Sequence, residues 1–342
     1  MRIAVLTPTF FEYSGIDRVV ELQVKELVKN KKNKVSVVCF DGNIKVPGVQ
    51  VIKIGITKSG LFSRIYRLLF FLDFPKRSKV GKMLSTYDII HTHFYPMSVL
   101  AYDAKRRNKT VNVTEHDYGV ATPALFSSFH ERFYLRVFKK FSYHYMKKAD
   151  RVITISHYLA GVLKDEAGIK SDVQHIKIDS HRFKKGISGE RIRKKLNLGN
   201  APVCLYVGRL SPHKGIHLLI DAYKRAKKKI PNLKLVIGGK ATFGGYRDQL
   251  MAQKGDDEDI IFSGFVSDEE LPEYYAAADV YTTATRWEGF DMPIPEAAAC
   301  GTPTVAFDLC SHPEVTTNGI LVKENDIPAF ANAIVKLVKK GK

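Results

Sequence analysis

The chain has 342 residues, of which 45% are hydrophobic and 26% charged, and its 54 Lys and Arg against 35 Asp and Glu give a formal net charge of +19. That length suits about two domains with separate cores, and that composition excludes a disordered or collagen-like chain. Residues 1–8 read as a buried first strand rather than a signal peptide, and no run of 18 uncharged apolar residues occurs, so no spanning helix is expected. In chain order, β-branched runs at 3–6, 35–39, 49–54, 89–92, 111–114 and 152–155 predict one sheet, with helical periodicity from 19 to 29. Runs at 203–207, 233–237, 260–263, 280–283 and 304–306 predict a second, with helices at 215–229 and 268–277 between them. Alternation of this kind makes an α/β fold of parallel sheets, in which ligands bind at the carboxyl ends of strands. The polar, basic stretch 181–198 and the turn Gly199-Asn200-Ala201-Pro202 separate the halves, and we divide the chain into residues 1–185 and 186–342.

The charge is lopsided. Residues 1–200 carry 37 Lys and Arg against 17 Asp and Glu, whereas residues 201–342 carry 17 against 18. The two halves are therefore expected to meet different partners, the first an anionic one. Residues 58–74 put Leu61, Ile65, Leu68, Leu69 and Leu72 on one helical face, with Arg64 and Arg67 elsewhere and Lys76, Arg77, Lys79 and Lys82 following. This is the composition of a helix lying in a membrane interface. Residues 130–148 interleave Phe133, Phe138 and Phe141 with Arg132, Arg136 and Lys139. Either stretch is equally compatible with a packed helix that has a solvated basic face. Cys39, Cys204, Cys300 and Cys310 lack metal-type spacing and read as buried free thiols of a reducing compartment.

Three segments of the second half carry the chemistry. The strand 203–207 runs into Gly208-Arg209-Leu210-Ser211-Pro212-His213-Lys214-Gly215, where a helix start and two cations could converge on phosphate oxygens. Gly238-Gly239 ends another strand and permits close approach of a base or ribose. Arg286-Trp287-Glu288-Gly289-Phe290-Asp291-Met292-Pro293-Ile294-Pro295-Glu296 sets two glutamates eight positions apart, the second opening an alanine-rich helix. The run Asp256-Asp257-Glu258-Asp259 reads as a solvated loop before a strand.

Together these segments resemble the retaining GT-B glycosyltransferases of the GT4-like group. The resemblance covers nearly the whole chain and is strongest from 203 to 322. It implies two Rossmann-like domains facing a central cleft, the second binding a nucleotide-diphosphate sugar. By position, Arg209 and Lys214 would hold the diphosphate, Glu288 the sugar hydroxyls and Glu296 the ribose. Gly208, Gly238 and Gly239 would border the nucleotide, and the backbone N–H groups of Gly289, Phe290, Asp291 and Met292 would grip sugar and phosphate. In the first domain Gly15 would lie beside the donor phosphates, with Ser14 in place of a second glycine. His116, just past the strand 111–114, matches the histidine that the family presents to the reacting sugar. His91 and His93 also follow a strand, with no nearby carboxylate or Cys to suggest a metal. The family usually has Gly at the position of Asp291, which makes that residue the candidate for this chain's donor choice.

The implied activity is transfer of a hexose from a UDP- or GDP-linked sugar to a membrane-associated lipid, polyprenyl-phosphate or glycan acceptor. The catalytic group would be His116, Glu288, Arg209 and Lys214, without a cofactor or metal, in a cytoplasmic protein peripheral to the inner membrane face. Arg64, Arg67, Lys76 and Arg77 are the candidate membrane or acceptor contacts. The rivals are a nucleotide-sugar epimerase on the same plan, a non-catalytic GT-B module and a nucleic-acid binder. No RNP, helix-turn-helix or zinc signature accompanies the charge, which disfavours the last.

Overall fold

The computed structural model describes residues 1–11, 15–56, 60–126, 128–241 and 245–341. Ser14 and Lys58 lie outside them, as does the side chain of Leu61. The chain forms two compact units, Met1–Pro123 with Ser127–His175, and Ile176–Lys342 with Ala124–Phe126.

In the first unit the described residues form β1 (Arg2–Phe10), α1 (Gly15–Lys29), β2 (Lys34–Gly42), β3 (Gln50–Lys53), α2 (Gly60–Leu68), α3 (Phe74–Leu84), β4 (Ile89–His93), α4 (Met97–Arg107), β5 (Asn112–Asp117), α5 (Phe129–Met146), β6 (Arg151–Thr154), α6 (His157–Ala167) and β7 (Asp172–Val173). The strands make one parallel sheet in the order β3-β2-β1-β4-β5-β6-β7. Helices cover both faces, so the central strands are buried throughout and read as continuous apolar runs, as Ile3 to Leu6 do. One face packs Ala4, Leu6, Val38 and Leu100 into a core, the other Ile3, Val5, Val20 and Val37. The two-residue β7 was not expected, being too short to show any pattern.

In the second unit α7 (Glu190–Lys195) precedes β8 (Val203–Val207), α8 (Ile216–Lys227), β9 (Lys234–Gly238), α9 (Tyr246–Lys254), β10 (Ile260–Gly264), α10 (Leu271–Ala277), β11 (Val280–Thr283), α11 (Pro293–Ala299), β12 (Thr304–Phe307), α12 (His312–Val315), β13 (Gly319–Val322) and α13 (Ile327–Lys340). Its parallel sheet runs β10-β9-β8-β11-β12-β13. Leu219, Leu235, Val305, Phe307 and Phe330 lie at the centre of its core.

Strand order reverses at β1/β4 in one unit and at β8/β11 in the other. At such a point neighbouring loops leave in opposite directions and open a crevice at the carboxyl ends. The loops after β8 and β11 are those that hold Lys214 and Glu288.

Three expectations need amendment. Residues 58–74 are not one helix. α2 ends at Leu68, a tight turn spans Phe70–Leu72, and α3 begins behind Asp73. The Asp73 carboxylate accepts the Lys76 N–H at 3.1 Å and the Tyr66 hydroxyl at 2.5 Å, and Pro75 occupies the first turn of α3. An Asp cap followed by Pro is a helix start, and here it overrides the amphipathic period. The division between units falls at 175/176 rather than 185/186. Phe183 is buried against Tyr275 and Arg182 donates to the Asp268 carbonyl, which ties residues 176–185 to the second unit. The loop 256–259 is not simply solvated, because Lys227 bridges Asp257 at 2.6 Å and Asp259 at 2.8 Å, and Lys234 meets Asp259 at 3.2 Å.

Candidate active site

The second-unit site is built on two loops that glycines allow to touch. Gly215, at φ 63°, lies so near β11 that a Cβ there would come within 2.0 Å of the Ala284 carbonyl oxygen. The Arg286 N–H donates to the His213 carbonyl at 2.8 Å. Both contacts press the Pro212–Lys214 turn against the exit of β11, and the Lys214 ammonium donates to Glu288 Oε2. Lys214 is almost fully buried. Burial pushes its pKa down, but the Glu288 and Asp291 carboxylates outweigh this and hold it above the usual lysine value. The site therefore keeps a fixed cation. Gly239 meets the preceding loop as closely, since a Cβ there would lie 1.8 Å from the Gly208 carbonyl oxygen. Tyr206, buried below Gly208, donates to the Arg209 carbonyl at 3.1 Å. The Arg209 side chain is exposed, with no carboxylate in ion-pair reach among the described residues.

The loop after β11 turns through Asp291, a non-glycine residue at φ 43°. Asp and Asn tolerate this left-handed region better than other L-residues. The N–H groups of Gly289, Asp291 and Met292 have no acceptor among the described residues and remain available to a ligand. The Asp291 side chain turns into the protein, where His312 Nε2 lies 3.0 Å from Oδ2 and the Thr283 hydroxyl 3.3 Å from it. Glu296, on α11, is buried and accepts the Tyr275 hydroxyl at 2.8 Å. Burial pushes its carboxyl up to about 7.

A stability effect follows. Between 4.5, the ordinary glutamate value, and about 7 the folded protein holds a proton that the unfolded chain has released. Stability attributable to Glu296 is therefore lost as pH rises through that window. Glu296→Gln should remove the dependence, gaining up to about 3 kcal/mol relative to the parent at pH 8 compared with pH 4.5. Urea unfolding of both proteins at the two pH values checks this, and a constant difference between them would show that the carboxyl titrates normally.

In the first unit His116 is the penultimate residue of β5 and belongs to a partly buried polar chain. The Tyr118 hydroxyl lies 2.8 Å from His93 Nδ1, and His93 Nε2 lies 2.8 Å from Gln23 Oε1. Gln23 Nε2 and His91 Nδ1 lie 3.2 Å and 3.0 Å from His116 Nε2. With neutral rings each contact has one hydrogen, donated by the Tyr118 hydroxyl to His93 Nδ1, by His93 Nε2 to Gln23 Oε1, and by Gln23 Nε2 and His91 Nδ1 to His116 Nε2, so no imidazolium is needed. Burial pushes His91 down to about 4, His116 to about 3 and His93 well below its usual value. With the Gln23 amide so oriented, His116 Nε2 accepts and Nδ1 carries the hydrogen, and that N–H has no partner among the described residues. Glu115 and Asp117, which flank His116, point to the opposite face of the sheet. Gly15 is the first residue of α1.

Of the four basic residues proposed for acceptor or membrane, Arg77 is turned inward. It donates to both oxygens of Asp103, at 2.7 and 2.8 Å, and fastens α3 to α4. Lys76 donates to the Gly55 carbonyl at 2.9 Å, and Arg64 stacks over Tyr134, 5.3 Å from the ring centre. Arg67 lines a cavity of about 250 Å3 with Thr7, Thr9, Asp17, Tyr95 and Tyr134. Its buried Nε has no hydrogen-bond partner among the described residues.

Two family models match the chain, "Glycosyltransferase Family 4" over residues 13–177 and "Glycosyl transferases group 1" over residues 188–342. The chain belongs to the family-4, group-1 glycosyltransferases. Among curated proteins it is 28% identical over 203 residues to the GDP-mannose-dependent alpha-(1-6)-phosphatidylinositol monomannoside mannosyltransferase of Mycolicibacterium smegmatis, covering 56% of this chain and 53% of that one. It is 32% identical over 172 residues to mannosylfructose-phosphate synthase of Agrobacterium fabrum, covering 46% and 38%. These alignments span about half of the first relative and less than half of the second. The fold of this family-4 chain matches that of Anabaena HepE, crystallised with UDP-glucose, with a TM-score of 0.78 at 22% identity over 99% of this chain and 90% of that one. It also matches WaaG, a glycosyltransferase involved in lipopolysaccharide biosynthesis, with a TM-score of 0.74 at 13% identity over 98% and 90%. The fold is thus GT-B, with two Rossmann-like domains. Sequence reasoning missed two participants in this glycosyltransferase fold. Gln23, mid-helix, gives no signal of its own. His312 had one indirect signal, the carboxylate at 291 that needs a counterion.

Proposed function

We propose that the chain transfers a hexosyl group from a UDP- or GDP-linked sugar to a membrane-associated lipid or glycan acceptor, with retention of configuration and no metal in the chemical step. The observation that carries this reading is the buried Lys214 ammonium held against Glu288, with Arg209 exposed on the same loop. A cation fixed at a β-strand's carboxyl end and a carboxylate able to accept sugar hydroxyls suit a sugar bonded to a diphosphate. Among relatives, the M. smegmatis enzyme is GDP-mannose-dependent. The sugar and base of this chain's donor follow from assay.

In the proposed reaction Glu288 orients the sugar and Glu296 meets the ribose. The bond from C1 to the diphosphate oxygen breaks as the acceptor oxygen attacks C1 from the same face. The acceptor's proton passes to the departing phosphate oxygen, and Arg209 and Lys214 stabilise the charge gathering there. The His116 N–H donates to the transferring sugar. Release of nucleotide diphosphate from a panel of UDP-, GDP- and ADP-sugars tests the activity. Proton NMR of the product's anomeric centre tests retention, and undiminished turnover in EDTA tests metal independence.

The acceptor side rests on the first unit. Phe62 and Phe74 are 64% and 65% exposed, and Ile65, Leu69, Leu72, Phe129 and Phe133 are also exposed. Arg64 on α2 and Tyr134 on α5 bring the two helices together. Exposed aromatics beside arginines suit the interface of an anionic bilayer, at about 1 kcal/mol for each basic residue near the surface. No helix of the described residues is long and apolar enough to cross a membrane. We expect the protein to sediment with vesicles containing phosphatidylglycerol and not with neutral ones. The double variant Phe62→Ser/Ile65→Ser should weaken that partition by about tenfold or more. Equal binding to both vesicle types would refute the membrane reading.

A further inference from the structure

Asp291 and His312 are a buried acid–base pair beside the donor loop. Asp291 is 3% exposed and His312 is fully buried. His312 Nδ1 lies 2.7 Å from the Phe307 carbonyl oxygen. A carbonyl only accepts, so Nδ1 carries a hydrogen. His312 Nε2 faces Asp291 Oδ2 at 3.0 Å, and the pair must hold one further proton between those atoms. Burial raises the Asp291 carboxyl, but Lys214 and then His312 outweigh that and set it below the usual range. The same short segment grips the loop at a second point, where the Ser311 hydroxyl donates to the Glu288 carbonyl at 3.3 Å. The Asp291 carbonyl in turn accepts the Ile294 N–H at 3.0 Å, at the entry to α11.

Lys214 therefore sits between two carboxylates, bonded to Glu288 and attracted to Asp291. With His312 in place Asp291 is hydrogen-bonded from behind and Lys214 donates to Glu288. Without His312 the buried Asp291 carboxylate would draw Lys214 inward, away from a ligand.

We propose that Asp291 and His312 form a positioning pair, which acts on the donor through Lys214 and the backbone of residues 288–292 and does not itself touch the sugar. The proposal rests on the reading of this unit as the nucleotide-sugar site. Its test is a double-mutant cycle on the full chain, His312→Ala, Asp291→Gly and both together, read as donor KM and kcat from nucleotide release and as UDP and GDP affinity by calorimetry. Glycine accepts the φ of 43° at position 291 and leaves no carboxylate to compensate.

We expect His312→Ala to lower kcat by ten- to a hundredfold with a smaller rise in donor KM, the pattern that displacement of Lys214 gives. Adding Asp291→Gly should bring kcat back to within about fivefold of the parent. An unchanged kcat in His312→Ala would overturn the proposal, as would a double variant no better than His312→Ala, since Asp291 would then act on the donor directly. Should His312→Ala fail to fold, His312→Leu, which fills the volume without a donor for Asp291, decides. A kcat lowered at least fivefold in the folded variant supports a positioning role, and a smaller change overturns it. If the parent itself releases and binds no nucleotide, the functional reading has failed instead. The same cycle followed by thermal unfolding still reports whether the two residues are coupled.

Discussion

Lys214→Ala is expected to lower kcat for nucleotide release by about 10²–10³-fold, with a smaller rise in donor KM. An ammonium taken out of water is costly, and this one is retained because Glu288 bonds it and Asp291 attracts it. Its position is fixed by backbone contacts at Gly215 and His213, so little reorganisation is needed when negative charge gathers on the leaving diphosphate. A preorganised charge of this kind acts on the transition state more than on the bound donor, which is why kcat should bear the larger loss. Lys214→Ala also leaves two carboxylates without their cation, and a stability loss of about 1–3 kcal/mol should accompany it. Lys214→Arg separates the two effects, since it keeps the charge and should recover stability while misplacing the donor atoms. Steady-state kinetics and urea unfolding of both variants check this. A kcat within threefold of the parent in Lys214→Ala would remove Lys214 from the chemistry.

His116→Ala should reduce kcat/KM by about ten- to a hundredfold, the loss of one well-placed hydrogen bond to a sugar that acquires charge as it transfers. The pH dependence separates this role from acid–base catalysis. His116 is pushed down to about 3 by burial, and its neighbours His91 and His93 are also depressed. The ring is therefore neutral from about pH 5 upward, and the rate should show no break near the ordinary histidine value of about 6.5. Gln23→Ala removes the partner shared by His93 and His116 and should give a loss of the same kind, smaller in size. A break near 6.5 that disappears in His116→Ala would show that the histidine titrates in the reaction.

Both predictions start from residues that the sequence singled out as candidates, and the reason is local. Lys214 and Gly215 follow a strand in an unbroken motif, and His116 lies two residues beyond the β-branched run 111–114. The parallel sheets were legible for the same reason, since strands buried on both faces become continuous apolar runs. What stayed hidden depends on residues far apart in sequence. Gln23 meets His116 across 93 positions, and His312 meets Asp291 across 21. Asp291 could be marked as unusual because the family that the chain resembles usually has glycine there, yet its partner could not be named. Arg77 shows the opposite limit. Its basic neighbours suggested a surface role, but Asp103 on α4 accepts from its Nε and Nη2, and the Phe71 carbonyl accepts from its Nη1. The break at Asp73 was present in the sequence as an Asp–Phe–Pro cap, overridden in the reading by a longer amphipathic period.

The central claim is that the Lys214–Glu288 wall of the second unit holds a nucleotide-diphosphate sugar for transfer. Its most direct test is nucleotide release from the donor panel, with and without a polyprenyl-phosphate acceptor, by the parent and by Glu288→Ala. We predict release from at least one UDP- or GDP-linked sugar, stimulated by acceptor and lowered at least about a hundredfold in Glu288→Ala. No release from any donor, or release unaffected by Glu288→Ala, would contradict the account.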